Sequence, residues 1–129
     1  MPLLRRTLLG LLAALPVIVP VLAGAEPAVL AAGQSVDLGV VFWADGCTST
    51  LLTIVGVDVL EAPAGVELSI RKEDVLARPG CTKIPGGVVV ASVKSVSAPL
   101  TGTVRYRVRY RTLNGPRQSE HSAQLSLQP

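Results

Sequence analysis

"TVRYRVRYRTLNGPRQSEHSAQLSLQ", residues 103–128, decides the reading of this chain. From Val104 to Arg111 an arginine follows every Val or Tyr. A strict two-residue period describes a half-buried β-strand and excludes a helix. Val104, Tyr106, Val108 and Tyr110 share one face, and Arg105, Arg107, Arg109 and Arg111 share the other. Residues 119–128 continue the alternation with smaller side chains, and Asn114-Gly115 between the runs is strong turn chemistry. The segment therefore reads as a hairpin. Pro116 has no N–H, so a two-residue Asn114-Gly115 loop would lose the bond from residue 116 to Leu113. A four-residue loop, 113–116, avoids that loss. It predicts Thr112 opposite Arg117, Tyr110 opposite Ser119, Val108 opposite His121, Tyr106 opposite Ala123 and Arg109 opposite Glu120. A one-residue slip would drive guanidiniums into the core.

Working back along the chain, short runs rich in Val, Ile, Leu and Thr recur between Gly, Pro and Asn punctuation. Residues 35–44, 51–62, 66–71 and 88–96 read as strands, and 27–33 holds a short edge strand. Gly56, inside the long apolar run 51–62, marks a bulge or a close backbone approach. Residues 72–80 end in Pro79-Gly80 and read as a loop with at most one helical turn. No stretch shows a helical stripe. The expectation is an all-β fold, a two-layer antiparallel β-sandwich of six to seven strands.

Tyr106-x-Val108-x-Tyr110, Asn114-Gly115 and Ser119 resemble the last hairpin of immunoglobulin-like and fibronectin type III-like domains. That resemblance covers the C-terminal hairpin alone. It implies an immunoglobulin-like sandwich in which Tyr106 caps a corner. Two features depart from true immunoglobulin domains: Cys47 and Cys81 are too close together, and Trp43 precedes the first cysteine instead of following it. The resemblance therefore speaks to fold and not to function.

At the other end, "MPLLRRTLLGLLAALPVIVPVLAGA" has a basic start at Arg5 and Arg6, an apolar run from Leu8 to Leu22, and Ala23-Gly24-Ala25. This is the pattern of a signal peptide, residues 1–25, ending in a small-x-small cleavage site. A membrane anchor is the rival, but a run interrupted by Pro16 and Pro20 is short for a ~30 Å hydrocarbon layer. Arg5-Arg6 also resembles a twin-arginine signal, although paired arginines are common in ordinary export signals too. Residues 26–129 form one domain with no transmembrane span, large enough to bury roughly two-thirds of its unfolded surface. The expected location is periplasmic or secreted.

Charge is segregated along the chain. Removing Arg5 and Arg6 lowers the formal net charge from +3 to +1. Residues 26–74 then hold eight of the nine acids, and residues 75–117 hold eight bases and no acid. Either the halves interleave and neutralise each other across neighbouring strands, or they make a bipolar surface that binds an anionic partner or stacks on itself. Cys47 and Cys81, the two cysteines, pair in one way only, and an oxidising compartment favours that disulfide. No C-x-x-C is present for thiol exchange.

The functional question narrows to Arg105, Arg107, Arg109 and Arg111. One reading is a solvated outer face whose Arg stems cover the sheet. The other is a shallow strip of cations ~6.5–7 Å apart that follows a protein or an anionic polymer. Nucleic acid is not expected, because the basic face carries no aromatic platform and both tyrosines point inward. No catalytic residue is assigned. His121, the only histidine, reads as a half-buried structural imidazole, and one histidine without a mature methionine does not make a copper site. Asp45 and the Glu73-Asp74 pair read as turn and surface residues more readily than as a cation cage, so no metal and no cofactor are expected. Trp43 reads as core or near-core packing. The sequence thus predicts a small exported non-catalytic binding or accessory module, with a structural or assembly subunit of the cell envelope as the alternative.

Overall fold

The computed structural model describes residues 26–129; the expected signal peptide, residues 1–25, lies outside them. Nine strands and no helix are present among the described residues: β1 (Ala28–Ala31), β2 (Ser35–Val41), β3 (Ala44–Asp45), β4 (Thr48–Ser49), β5 (Leu51–Glu61), β6 (Val66–Val75), β7 (Ile84–Val93), β8 (Leu100–Thr112) and β9 (Gly115–Gln128). They form a four-stranded sheet, order β1-β9-β8-β5, a three-stranded sheet, order β2-β7-β6, and the small ladder β3-β4. β1 runs parallel to β9, and every other pairing is antiparallel.

One core lies between the two larger sheets. Val104, Tyr106, Val108, Tyr110 and Leu125 of the first sheet meet Val41, Val66, Val89, Ala91 and Val93 of the second. Val104, Val108, Leu125 and Val89 are fully buried. Burying each such aliphatic side chain is worth about 1.5–3 kcal/mol relative to leaving it in water. Trp43 packs against this core, its ring 5.3 Å from that of Tyr110.

Nine strands exceed the expected six to seven because of β3 and β4. A two-residue ladder leaves no periodic pattern to detect. Residues 72–75 also differ from the expected loop: β6 continues through Lys72, Glu73 and Asp74 to Val75, whose side chain is buried. The charged run hid a strand whose outer neighbour is water. β7 likewise starts at Ile84, ahead of Pro85-Gly86-Gly87. β2 ends opposite Gly87, so at Pro85 the strand has a neighbour on one side only, where proline is tolerated.

The hairpin register is the third correction. Thr112 stands opposite Gly115 and Tyr110 opposite Arg117, a shift of two residues from the expected pairing. The loop is Leu113-Asn114. Gly115 takes φ of +100°, a conformation glycine adopts without a Cβ penalty. Thr112 Oγ1 donates to the Gly115 carbonyl at 2.7 Å and accepts from the Asn114 N–H at 3.1 Å. Pro116 is accommodated for a different reason than a longer loop. The Gln128 carbonyl accepts from Ala32 N–H on the β1 side, so the even-numbered residues of β9 aim their backbone groups away from β8. Pro116 is one of them, and its missing N–H removes nothing from the β8 ladder. A shift of two preserves the faces, so the tyrosines still point inward and the arginines outward.

β1 opposes only Leu125–Gln128. Among the described residues, no strand borders that side of β9 from Gly115 to Gln124.

Candidate anion-binding face

The structure brings Arg105, Arg107, Arg109 and Arg111 together on the outer face of β8, and gives three of them partners. Arg109 Nε donates to Asp58 Oδ2 at 2.8 Å, Arg107 Nη2 donates to Glu120 Oε2 at 3.2 Å, and Arg105 Nη1 donates to Glu61 Oε1 at 3.4 Å. Glu120 thus serves Arg107 and not Arg109, a consequence of the two-residue shift. Asp58 and Glu61 come from β5, which lies beside β8. Acids of the first half and bases of the second half do interleave here. Arg111 has no ion pair among the described residues. Arg117, at the other side of the hairpin, donates to the Pro116 carbonyl at 2.8 Å. Its cation is likewise without a carboxylate.

Gly56 explains how Arg109 reaches Asp58. A Cβ at that position would lie 2.9 Å from Arg109 Nη2, so the bare backbone lets the guanidinium lie across β5 without being displaced. Register shifts lie on both sides of it, between Ile54 and Gly56 and between Val59 and Glu61, with a third between Leu51 and Thr53. Both roles read for Gly56 from the sequence therefore apply. Arg107 is the most enclosed of the four: its side chain is 33% exposed, and its Nε is buried without a partner.

Inside the sheet, Ser119 Oγ is 2.7 Å from Tyr110 Oη and 2.7 Å from His121 Nε2. His121 stacks on Tyr106 at 5.2 Å. Burial pushes the His121 pKa below its ordinary 6.5, which favours the neutral ring. The Tyr106 and Tyr110 hydroxyls are pushed above 10 by burial, with the Ser119 bond opposing the rise at Tyr110. This chain of three polar groups is packed on the inner face, where it satisfies side chains that would otherwise be unpaired.

Cys47 and Cys81 are disulfide-bonded with Cα atoms 5.3 Å apart. The bond lies at the hairpin end, joining the β3–β4 turn to the loop after β6. The same end is tied by Thr50 N–H donating to Trp43 C=O and Leu113 N–H donating to Thr50 C=O. Asp45 and Asp74 are exposed and Glu73 bonds Arg71. Among the described residues no three His, Cys, Asp or Glu side chains gather as a metal site. No helix among them is long and apolar enough to cross a membrane. No protein-family model matches the chain, and comparison with curated proteins and with solved structures finds no match.

Proposed function

We propose that the mature chain is an exported, non-catalytic binding module of immunoglobulin-like architecture that presents its β8 face to an anionic partner. The architectural part draws support from strand order. Lettering β2 and β5 to β9 from B to G gives sheets B-E-D and C-F-G, with the first strand beside G, an immunoglobulin-like arrangement. The cysteines sit in end loops instead of on facing core strands, so this chain uses its cross-link differently. The disulfide supports an oxidising compartment.

The observation that carries the binding part is the surplus of cation at the hairpin end. Asp58, Glu61 and Glu120 are each committed to an arginine, which leaves Arg111 and Arg117 to meet charge from outside. The test is retention on a heparin matrix at low salt. Arg111→Ala/Arg117→Ala elutes at lower salt than wild type, whereas Arg105→Ala moves elution less because the single cation it removes is already offset by Glu61. Equal elution of all three proteins sinks the reading.

A second reading, an assembly subunit of the cell envelope, has one observation in its favour. The outer face of the three-stranded sheet carries Asp37, Glu67 and Glu73 against Arg71, opposite in sign to the β8 face. Copies stacked face to face would pair these surfaces. Light scattering across a protein concentration series decides it, since a salt-independent monomer leaves no room for stacking.

A further inference from the structure

Two of the three register shifts of β5, between Leu51 and Thr53 and between Ile54 and Gly56, converge on one spot, and they break the inward alternation at apolar residues. Leu52 and Val55 are the extra residues of those shifts. Their side chains stand 58% and 47% exposed in a strand whose Ile54 is buried. Turning two aliphatic residues out of a core forfeits burial, so an outside contact is the natural compensation. They emerge at the hairpin end of the sheet, near Leu113, which is 67% exposed.

Two adjoining grooves result. One, of about 400 Å³, is lined by Val55, Arg109, Tyr110, Pro116, Arg117 and Gln118. The other, of about 420 Å³, is lined by Leu52, Val55, Arg111, Leu113 and Pro116 among others. No carboxylate lines either groove. Arg109 is held by Asp58, while Arg111 and Arg117 are not held by any acid among the described residues. Aliphatic side chains thus lie beside cations, and every charged residue of the lining is basic.

We infer that these grooves hold an extended acidic segment of a partner protein, in which an aliphatic side chain lies two residues from a carboxylate. This rests on the binding reading above and narrows its ligand. In an extended peptide, side chains at i and i+2 lie on one face ~6.5–7 Å apart, the spacing of Arg109 and Arg111 along β8. A carboxylate there takes a charge-assisted bond from Arg111, and its aliphatic neighbour covers Leu52 and Val55. A sulfated polysaccharide satisfies the arginines and leaves the aliphatic floor exposed. A nucleic acid finds no exposed ring to stack on, because Tyr110 is 2% exposed.

The probes are two blocked synthetic peptides, Glu-Ser-Leu-Ser-Glu and Glu-Ser-Ser-Ser-Glu, and a heparin-derived oligosaccharide. Each is titrated into the disulfide-intact protein at low salt. The leucine peptide binds at least about tenfold more tightly than its serine counterpart, the effect of burying one leucine. Leu52→Ser/Val55→Ser, both exposed positions, closes that gap while thermal unfolding stays unchanged, and Arg111→Ala weakens both peptides. Equal affinity of the two peptides, or a gap that survives Leu52→Ser/Val55→Ser, overturns the groove while oligosaccharide binding keeps the broader reading. Failure of all three probes to bind overturns both.

Discussion

On the outer face of the three-stranded sheet one guanidinium, Arg71, meets Asp37 at 3.0 Å and Glu73 at 2.6 Å. On the outer face of the four-stranded sheet four guanidiniums share three carboxylates. The first pairing runs from β6 over β7 to β2 and leaves no cation uncommitted; Glu67 adds further negative charge. The second leaves Arg111 over, at the end where Leu52, Val55 and Leu113 are also exposed. All five pairs are substantially exposed to water, and such pairs contribute ~0–1 kcal/mol each. Neither face holds the molecule together. What distinguishes them is the residue left without a partner, and it coincides with the end of β5 where Leu52 and Val55 turn outward.

The largest change comes from uncoupling the two sheets at their shared end. Cys47→Ser/Cys81→Ser opens a loop spanning 34 residues, and chain entropy puts the loss near 3.5–4 kcal/mol. A urea midpoint equal to that of wild type contradicts this estimate. Next is Arg107→Met, which removes a buried Nε that has no partner. An unsatisfied buried donor is worth ~1–3 kcal/mol of penalty, offset here by the loss of an exposed pair with Glu120. The variant is therefore as stable as wild type or better by about 1 kcal/mol, whereas Arg109→Met, whose Nε is bonded, is less stable. A marked loss of stability in Arg107→Met alone would show that the Arg107–Glu120 pair matters more than its exposure allows.

Smaller in stability but sharper for function is Asp58→Asn. It sacrifices one exposed pair, about 0.2–1 kcal/mol, and releases Arg109 beside Arg111. Retention on heparin rises. Asp37→Asn, on the other face, leaves retention where it was, and a parallel rise there would mean that net charge alone governs binding. The smallest effect is the pH dependence of the inner hydrogen-bond chain. The folded-state pKa of His121 lies below its unfolded 6.5, so the unfolded chain binds the proton first as pH falls. Stability is full above pH 6.5 and declines below it, and His121→Gln flattens that decline. At the alkaline end Tyr106 and Tyr110 have raised pKa values. The unfolded chain loses those protons first, and stability falls as pH rises past 10.

Much of the β8–β9 hairpin was legible because a period of two leaves a strand only two face assignments, and arginine in a core excludes one of them. The two-residue error in register came from Pro116. Its lack of an N–H constrains only positions that donate to β8, and which positions donate depends on where β1 sits. The ion pairs Asp58–Arg109 and Glu61–Arg105 were invisible for a related reason. Strand order within a sheet is a long-range property, and β5 and β8 are far apart in sequence. Leu52 and Val55 were hidden inside "LLTIVGVDVLE", a run so uniformly apolar that no alternation told inside from outside. Gly56 was the sole local signal of the bulge. The disulfide needed no structure, since two cysteines have one pairing.

β1 runs parallel to β9 and begins opposite Leu125, so polypeptide immediately ahead of Ala28 is delivered beside Gln124 and the residues before it. A purification tag or fusion linker attached there is not a neutral appendage. A β-branched, apolar linker is placed to zip onto the outward backbone of Ser122, Glu120 and Gln118, lengthening β1 and capping the sheet. One rich in proline and glycine stays off. Linker choice therefore decides whether recombinant material keeps the side of β9 that no strand borders among the described residues.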